Sequence, residues 1–249
     1  MCSSLPMPDH SASMMNQPET GRQITCKGKE YIDRTAEVLT EAFYGDPVFT
    51  WLLLDYPLAE QKPVLARLLR FFFAAASLNK AIFLEVDGFG CAAVLMPPGC
   101  RVDNPWTMIP AGLIPSIFHL GLGYFKRALF EYASVTHRLM PKAFTKAEQE
   151  RHWYLFIMAT AVDRRREGLA TEILVHIQDR ARADGNGNGN GAPLPIWLEA
   201  TTELSRDLYR KHGFTVVAEV VLGKGRVGRD GVPKEGGEGV TIWAMCWRP

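Results

Sequence analysis

What the 249-residue sequence lacks removes several protein classes at once. It has no charge excess, since 28 basic residues face 27 acidic ones and leave a net charge of +1. A general nucleic-acid binder would carry a strong basic balance, so no nucleic-acid partner is expected. No apolar run is long enough to cross a bilayer, because Arg, Lys, Glu, Pro or Gly interrupts each candidate, and no membrane association is expected. The five cysteines, Cys2, Cys26, Cys91, Cys100 and Cys246, are scattered and odd in number, without the paired spacing of a metal site. They fit a reducing, cytoplasmic setting and imply neither a disulfide framework nor a bound metal. Residues 1–21 lack the basic start and apolar centre of a secretory signal and read as a disordered tail.

What is present fits one domain over 22–249, with 47% apolar residues to fill a core. Gln23 to Lys27 reads as a first strand, followed by an amphipathic helix from Tyr31 to Tyr44 and a turn at Gly45-Asp46-Pro47. A second helix is predicted from Pro63 to Ser77, with Pro63 in its first turn. AIFLEVDGFGCAAVLM then places two apolar runs around Asp87-Gly88, the composition of a tight turn between antiparallel strands. Arg101 to Glu150 is too apolar for a solvated linker and is broken by Pro and Gly, which predicts a helical insertion. Its residues either complete the core or wall off a site for an apolar or aromatic ligand.

The rest of the chain is organised around His152 to Asp184. Trp153 to Val162 reads as a strand buried on both faces, and the segment after Gly168 carries Leu169, Ile173, Leu174, Ile177 and Ala181 on one helical stripe. Arg164, Arg165 and Arg166 sit between them, where a helix N-terminus already holds partial positive charge and unpaired N–H groups. Cations there predict a bound anion, and Gly168 and Ala170 keep the backbone open to one. A solvated basic turn is the plain alternative. GNGNGNGAPLP reads as a flexible linker; Leu194 to Ala200, Phe214 to Leu222 and Val240 to Trp247 follow as strands, with a short helix from Ser205 to His212.

Arg165-x-x-Gly168-x-Ala170 lacks the Gly-Lys-Ser/Thr ending of a P-loop. It resembles the coenzyme A pyrophosphate loop of the GCN5-related N-acetyltransferases. LYRKHGF, at Leu208 to Phe214, is similar to the late helix of the same superfamily, and the two motifs stand in the superfamily's order. HWYL, WLEATT and TIWAM narrow the resemblance to the puromycin N-acetyltransferase branch. The chain departs from its relatives at Val162, where Pro is common, and at Ser205, where Asn is common.

The resemblance implies an α/β fold with a mixed central sheet flanked by helices and the helical insertion between strands 3 and 4. It implies acetyl-CoA as cosubstrate and a small-molecule amine as acceptor, with protein lysine acetylation as a variant. Arg165, Arg166, Glu167, Gly168, Leu169, Ala170 and Thr171 would hold the pyrophosphate, while Thr160, Ala161, Val162 and Ser205 would meet the pantetheine arm. Tyr209 would protonate the leaving thiolate. For the amine's proton the sequence offers Glu199, at the end of a buried strand, and His152. A catalytically silent acyl-CoA-binding module and an interaction protein using the apolar insertion are the competing classes.

Overall fold

The computed structural model describes residues 22–186 and 193–249, so the expected tail and the centre of the glycine linker lie outside the described residues. Seven strands form one sheet in the order β1-β2-β3-β4-β5-β7-β6. They are β1 (Ile24–Lys27), β2 (Ile82–Val86), β3 (Cys91–Met96), β4 (Trp153–Thr160), β5 (Ile196–Ala200), β6 (Thr215–Leu222) and β7 (Val240–Trp247). Every neighbouring pair is antiparallel except β4 and β5.

The helices are α1 (Ile32–Phe43), α2 (Pro47–Leu52), α3 (Leu58–Leu78), α4 (Pro105–Met108), α5 (Leu113–Phe125), α6 (Ala133–Ala143), α7 (Lys146–Glu150), α8 (Leu169–Asn186) and α9 (Glu203–Lys211). A π-helical stretch, Lys126–Tyr132, joins α5 to α6. The expected insertion between β3 and β4 is therefore helical, and it includes a wide-turn segment of the kind that recurs at functional sites. Helix α3 begins earlier than its Pro63 predicted: the proline lies inside the helix, behind Leu58 to Lys62. One face of the sheet packs on α1, α2 and α3 through Leu39, Trp51, Leu68 and Phe73; the other packs on α8 and α9 through Ile173, Leu174, Ile177 and Tyr209. Truncating a fully buried member of either layer, such as Leu68 or Leu174, to Ala would cost roughly 2–5 kcal/mol in transfer and cavity energy.

Strand β4 corrects one expectation. It is not buried on both faces, because Trp153, Leu155 and Ile157 are buried while Tyr154, Phe156 and Met158 are only partly so. It also ends at Thr160, short of Val162, which starts a 3-10 turn. The register against β3 slips between Leu95↔Leu155 and Val94↔Ile157, leaving Phe156 as the extra residue of a bulge. Its other edge pairs with β5 only at Trp153↔Ile196 and Tyr154↔Trp197. Beyond Tyr154 the two parallel strands part, so the sheet opens along the edge of β4 from Leu155 to Thr160.

Candidate active site

A cavity of about 480 Å³ occupies this opening and runs through to both core layers. Phe49, Leu52 and Phe72 line it from α2 and α3, Tyr124 and Tyr132 from the insertion, and Ser205 and Tyr209 from α9. The insertion is thus a wall of the cavity as well as part of the core, which unites the two alternatives raised by its sequence.

The loop between β4 and α8 lies at one end of the opening. Arg166 has φ 72° and Gly168 φ 82°, so the backbone alternates hand as it enters the helix, the kind of turn whose successive N–H groups can form an anion-binding concavity. An added Cβ at Gly168 would meet nothing within 4 Å, so glycine is needed there for its left-handed backbone and for the open space in front of it. The three arginines differ in state. Arg164 is held by Asp87 and by Glu167, whose carboxylate lies 2.8 Å from its guanidinium, and these carboxylates push its pKa up further. Arg165 meets the Ala42 carbonyl at 3.4 Å, and both Arg165 and Arg166 are exposed. Arg165 and Arg166 are therefore more open to solvent than Arg164, and the Glu167 carboxylate is occupied by Arg164.

The β2–β3 turn braces this loop. Glu85 accepts from the Phe89 N–H at 2.8 Å, and the Gly90 carbonyl accepts from the Ala161 N–H at 2.9 Å. The Ala161 N–H is therefore already paired with the β2–β3 turn. A Cβ at Gly90 would stand 2.8 Å from Leu169, so the turn needs glycine to sit this close. Thr160 is paired with Cys91 across the strands, Val162 is exposed, and Leu169 is buried in the core beneath the helix start, with Ala170 and Thr171 partly buried behind it.

Tyr209 lies on α9, whose N-terminus is fixed by a capping box between Thr202 and Ser205. Ser205 donates to the Thr202 carbonyl at 2.9 Å, so its hydroxyl serves the cap as well as lining the cavity. The Tyr209 ring packs 5.6 Å from Phe214, and burial, then Cys91 and Glu199, push its phenol well above the ordinary range. It is a protonated donor at neutral pH.

Glu199, on β5, accepts from Tyr154 Oη at 2.9 Å and from Trp197 Nε1 at 2.6 Å. Both oxygens are therefore oriented by residues of the two diverging strands. His152 sits at the cavity edge, its Nδ1 3.1 Å from the Glu148 carbonyl and its ring against Phe144. Burial lowers its pKa, so it is neutral at pH 7.

Sequence reasoning did not single out Asp46. Its carboxylate caps α2, accepting from the N–H groups of Val48 and Phe49 at 2.9 and 3.3 Å, and also accepts from Thr201 Oγ1 at 2.8 Å. Burial raises its pKa to about 6 against these three lowering bonds. Burial, then Glu199 and Asp46, push up the phenol of Tyr132; Glu199 lines the cavity, and Asp46 is joined to it through Thr201, which also lines it. The Asp46-Pro47 pair is a helix-start signal in the sequence, but only the fold brings it to Thr201.

No family model matches the chain. It is 23% identical to an uncharacterized N-acetyltransferase of Schizosaccharomyces pombe over 79% of this chain and 75% of that protein. Among solved structures it resembles a histone acetyltransferase HPA2 and related acetyltransferase from Corynebacterium glutamicum, with a TM-score of 0.54, 20% identity and coverage of 92% of this chain and 96% of that one. It also resembles arylalkylamine N-acetyltransferase 2 from Aedes aegypti, with a TM-score of 0.57, 14% identity and coverage of 91% and 98%. The mixed α/β sheet flanked by helices is the fold of GCN5-related N-acetyltransferases, as the two sequence motifs led one to expect.

Proposed function

We propose that the protein is an acetyl-CoA-dependent N-acetyltransferase acting on a small-molecule amine. The observation that carries this reading is the parting of β4 from β5 beyond Tyr154, with an anion loop at one end of the opening and Tyr209 beside it. An extended pantetheine arm fits such an edge as an added strand, paired with the backbone of Leu155 to Thr160. The pyrophosphate would meet Arg165, Arg166 and the N–H groups from Glu167 to Thr171, where the dipole of α8 favours negative charge. The narrower kinship with the puromycin N-acetyltransferase branch, carried by HWYL, WLEATT and TIWAM, belongs to the same reading.

In the reaction the neutral amine nitrogen attacks the thioester carbon. An N–C bond forms, the C–S bond breaks, and a backbone N–H of β4 near the bulge would bind the oxyanion. The amine's proton passes to Asp46 through Thr201, or to Glu199. With its value of about 6, Asp46 is ionised at neutral pH yet more basic than an ordinary aspartate. Glu199 then orients the nitrogen through its fixed oxygens. The departing thiolate takes the Tyr209 proton, so every proton has an origin and a destination.

Amide hydrogen exchange tests the placement. Acetyl-CoA should slow exchange across Leu155 to Thr160 and at the start of α8, and leave β6 and β7 unchanged. Protection elsewhere alone would contradict it.

A further inference from the structure

We propose that the acceptor is a primary amine on a ring-bearing apolar body with one hydrogen-bonding group at its far end, and that Tyr124 recognises that group. This rests on the acetyl-transfer reading of the same cavity. The amine is placed near Glu199 and Thr201, because these two line the cavity together with Tyr209 and Thr201 holds Asp46. On the side built by α1, α2 and α3 the lining is aromatic and aliphatic, with Phe43, Phe49, Leu52, Leu69 and Phe72 offering ring contact, while the charged lining residues Arg101, Asp103 and Glu150 come from the segment after β3 and from α7.

Beyond these residues stands Tyr124, which is fully buried and lines the cavity. Its phenol oxygen has no hydrogen-bond partner among the described residues. A buried hydroxyl left unpaired is costly, and a ligand oxygen is the group that would satisfy it. Behind it lies Arg127, itself buried, which donates to the Leu52 carbonyl at 2.8 Å and to Asp55 at 2.8 Å. The Arg127 charge is felt at Tyr124. This end of the cavity is therefore backed by the Arg127–Asp55 ion pair, whose carboxylate is already engaged, so the second ammonium of a diamine or polyamine would lose its water there against apolar side chains and a phenol. A neutral hydroxyl on a ring costs less to desolvate and can pair with the phenol.

The test uses the full chain with saturating acetyl-CoA and four acceptors: tyramine, phenethylamine, spermidine and a lysine-containing peptide. Free thiol and the mass of the acetylated product are both read. The expected order has kcat/KM for tyramine at least about tenfold above spermidine and the peptide. Tyr124→Phe should lower kcat/KM for tyramine by about three- to tenfold, the range of one neutral hydrogen bond, with phenethylamine and CoA affinity unchanged. Preferred acetylation of spermidine or the peptide would overturn the acceptor class while leaving acetyl transfer intact. Equal losses for tyramine and phenethylamine in Tyr124→Phe would overturn the role of Tyr124. Thiol release with none of the four amines, in protein that binds CoA, would overturn the transfer reading and this one with it.

Discussion

The Thr201 hydroxyl donates to the Asp46 carboxylate at 2.8 Å, joining the end of β5 to the start of α2 across most of the chain. That bond ties a partly desolvated acid to the mouth of the opening in the sheet. Burial, opposed by this bond and by the two backbone N–H groups of α2, raises the carboxyl to about 6.

Asp46→Asn keeps the α2 cap, since Asn accepts from N–H groups as Asp does, but removes the ionisation. The acid limb of kcat/KM near pH 6 should disappear and the rate should fall by roughly a hundredfold or more, the usual scale of a lost general base. Stability gives a second readout. A carboxyl raised in the folded state contributes stability that is fully present below its unfolded value and lost as pH rises through about 6. The wild-type protein should therefore lose stability between about pH 4 and pH 6 relative to Asp46→Asn, and a limb that survives in the variant would assign the titration to another group.

The arginine loop predicts unequal effects from neighbouring substitutions. Arg165→Ala removes a cation with a weak carbonyl contact, so CoA affinity should fall by about tenfold or more, as for one charge-assisted bond. Arg164→Ala instead frees Asp87 and Glu167, and should weaken CoA binding less. Calorimetric titration of the two variants checks the order; equal losses would mean that Arg164 leaves its carboxylates to bind phosphate.

Gly231 should govern the acceptor side through α2. Its φ of 80° suits glycine, and an added Cβ would overlap the Pro47 carbonyl and stand 2.9 Å from the Trp51 nitrogen. Gly231→Ala forces α2 away from the β6–β7 loop and moves Asp46, Val48 and Phe49 with it. The melting temperature should drop, and the acceptor KM should rise while CoA affinity stays within about twofold. If KM and CoA affinity change together, the effect is global and not a matter of α2 placement.

The sequence made the strand–loop–helix junction around Gly168 readable because its signals are local. An apolar strand, a glycine where the chain reverses hand and an apolar helical stripe all lie between Trp153 and Ala181. The short helix that carries Tyr209 was readable for the same reason. Asp46 was not, because its partner Thr201 stands in a different part of the chain and its basicity comes from burial that no local pattern encodes. The separate fate of Arg164 was equally hidden, since Asp87 reaches it from the β2–β3 turn. The roof of the acceptor cavity was visible only as an excess of apolar residues from Arg101 to Glu150; which of them face the cavity depends on the kink at Gly121 and the π-helical turn that follows.

The most direct measurement of the central claim is single-turnover formation of acetylated amine from acetyl-CoA by the wild-type protein and by Tyr209→Phe. The substitution keeps the ring against Phe214 and removes the proton donor. The account predicts product in the wild type, a rate roughly ten- to ten-thousandfold lower in Tyr209→Phe, and equal acetyl-CoA binding in both. Equal single-turnover rates in the two proteins would contradict it.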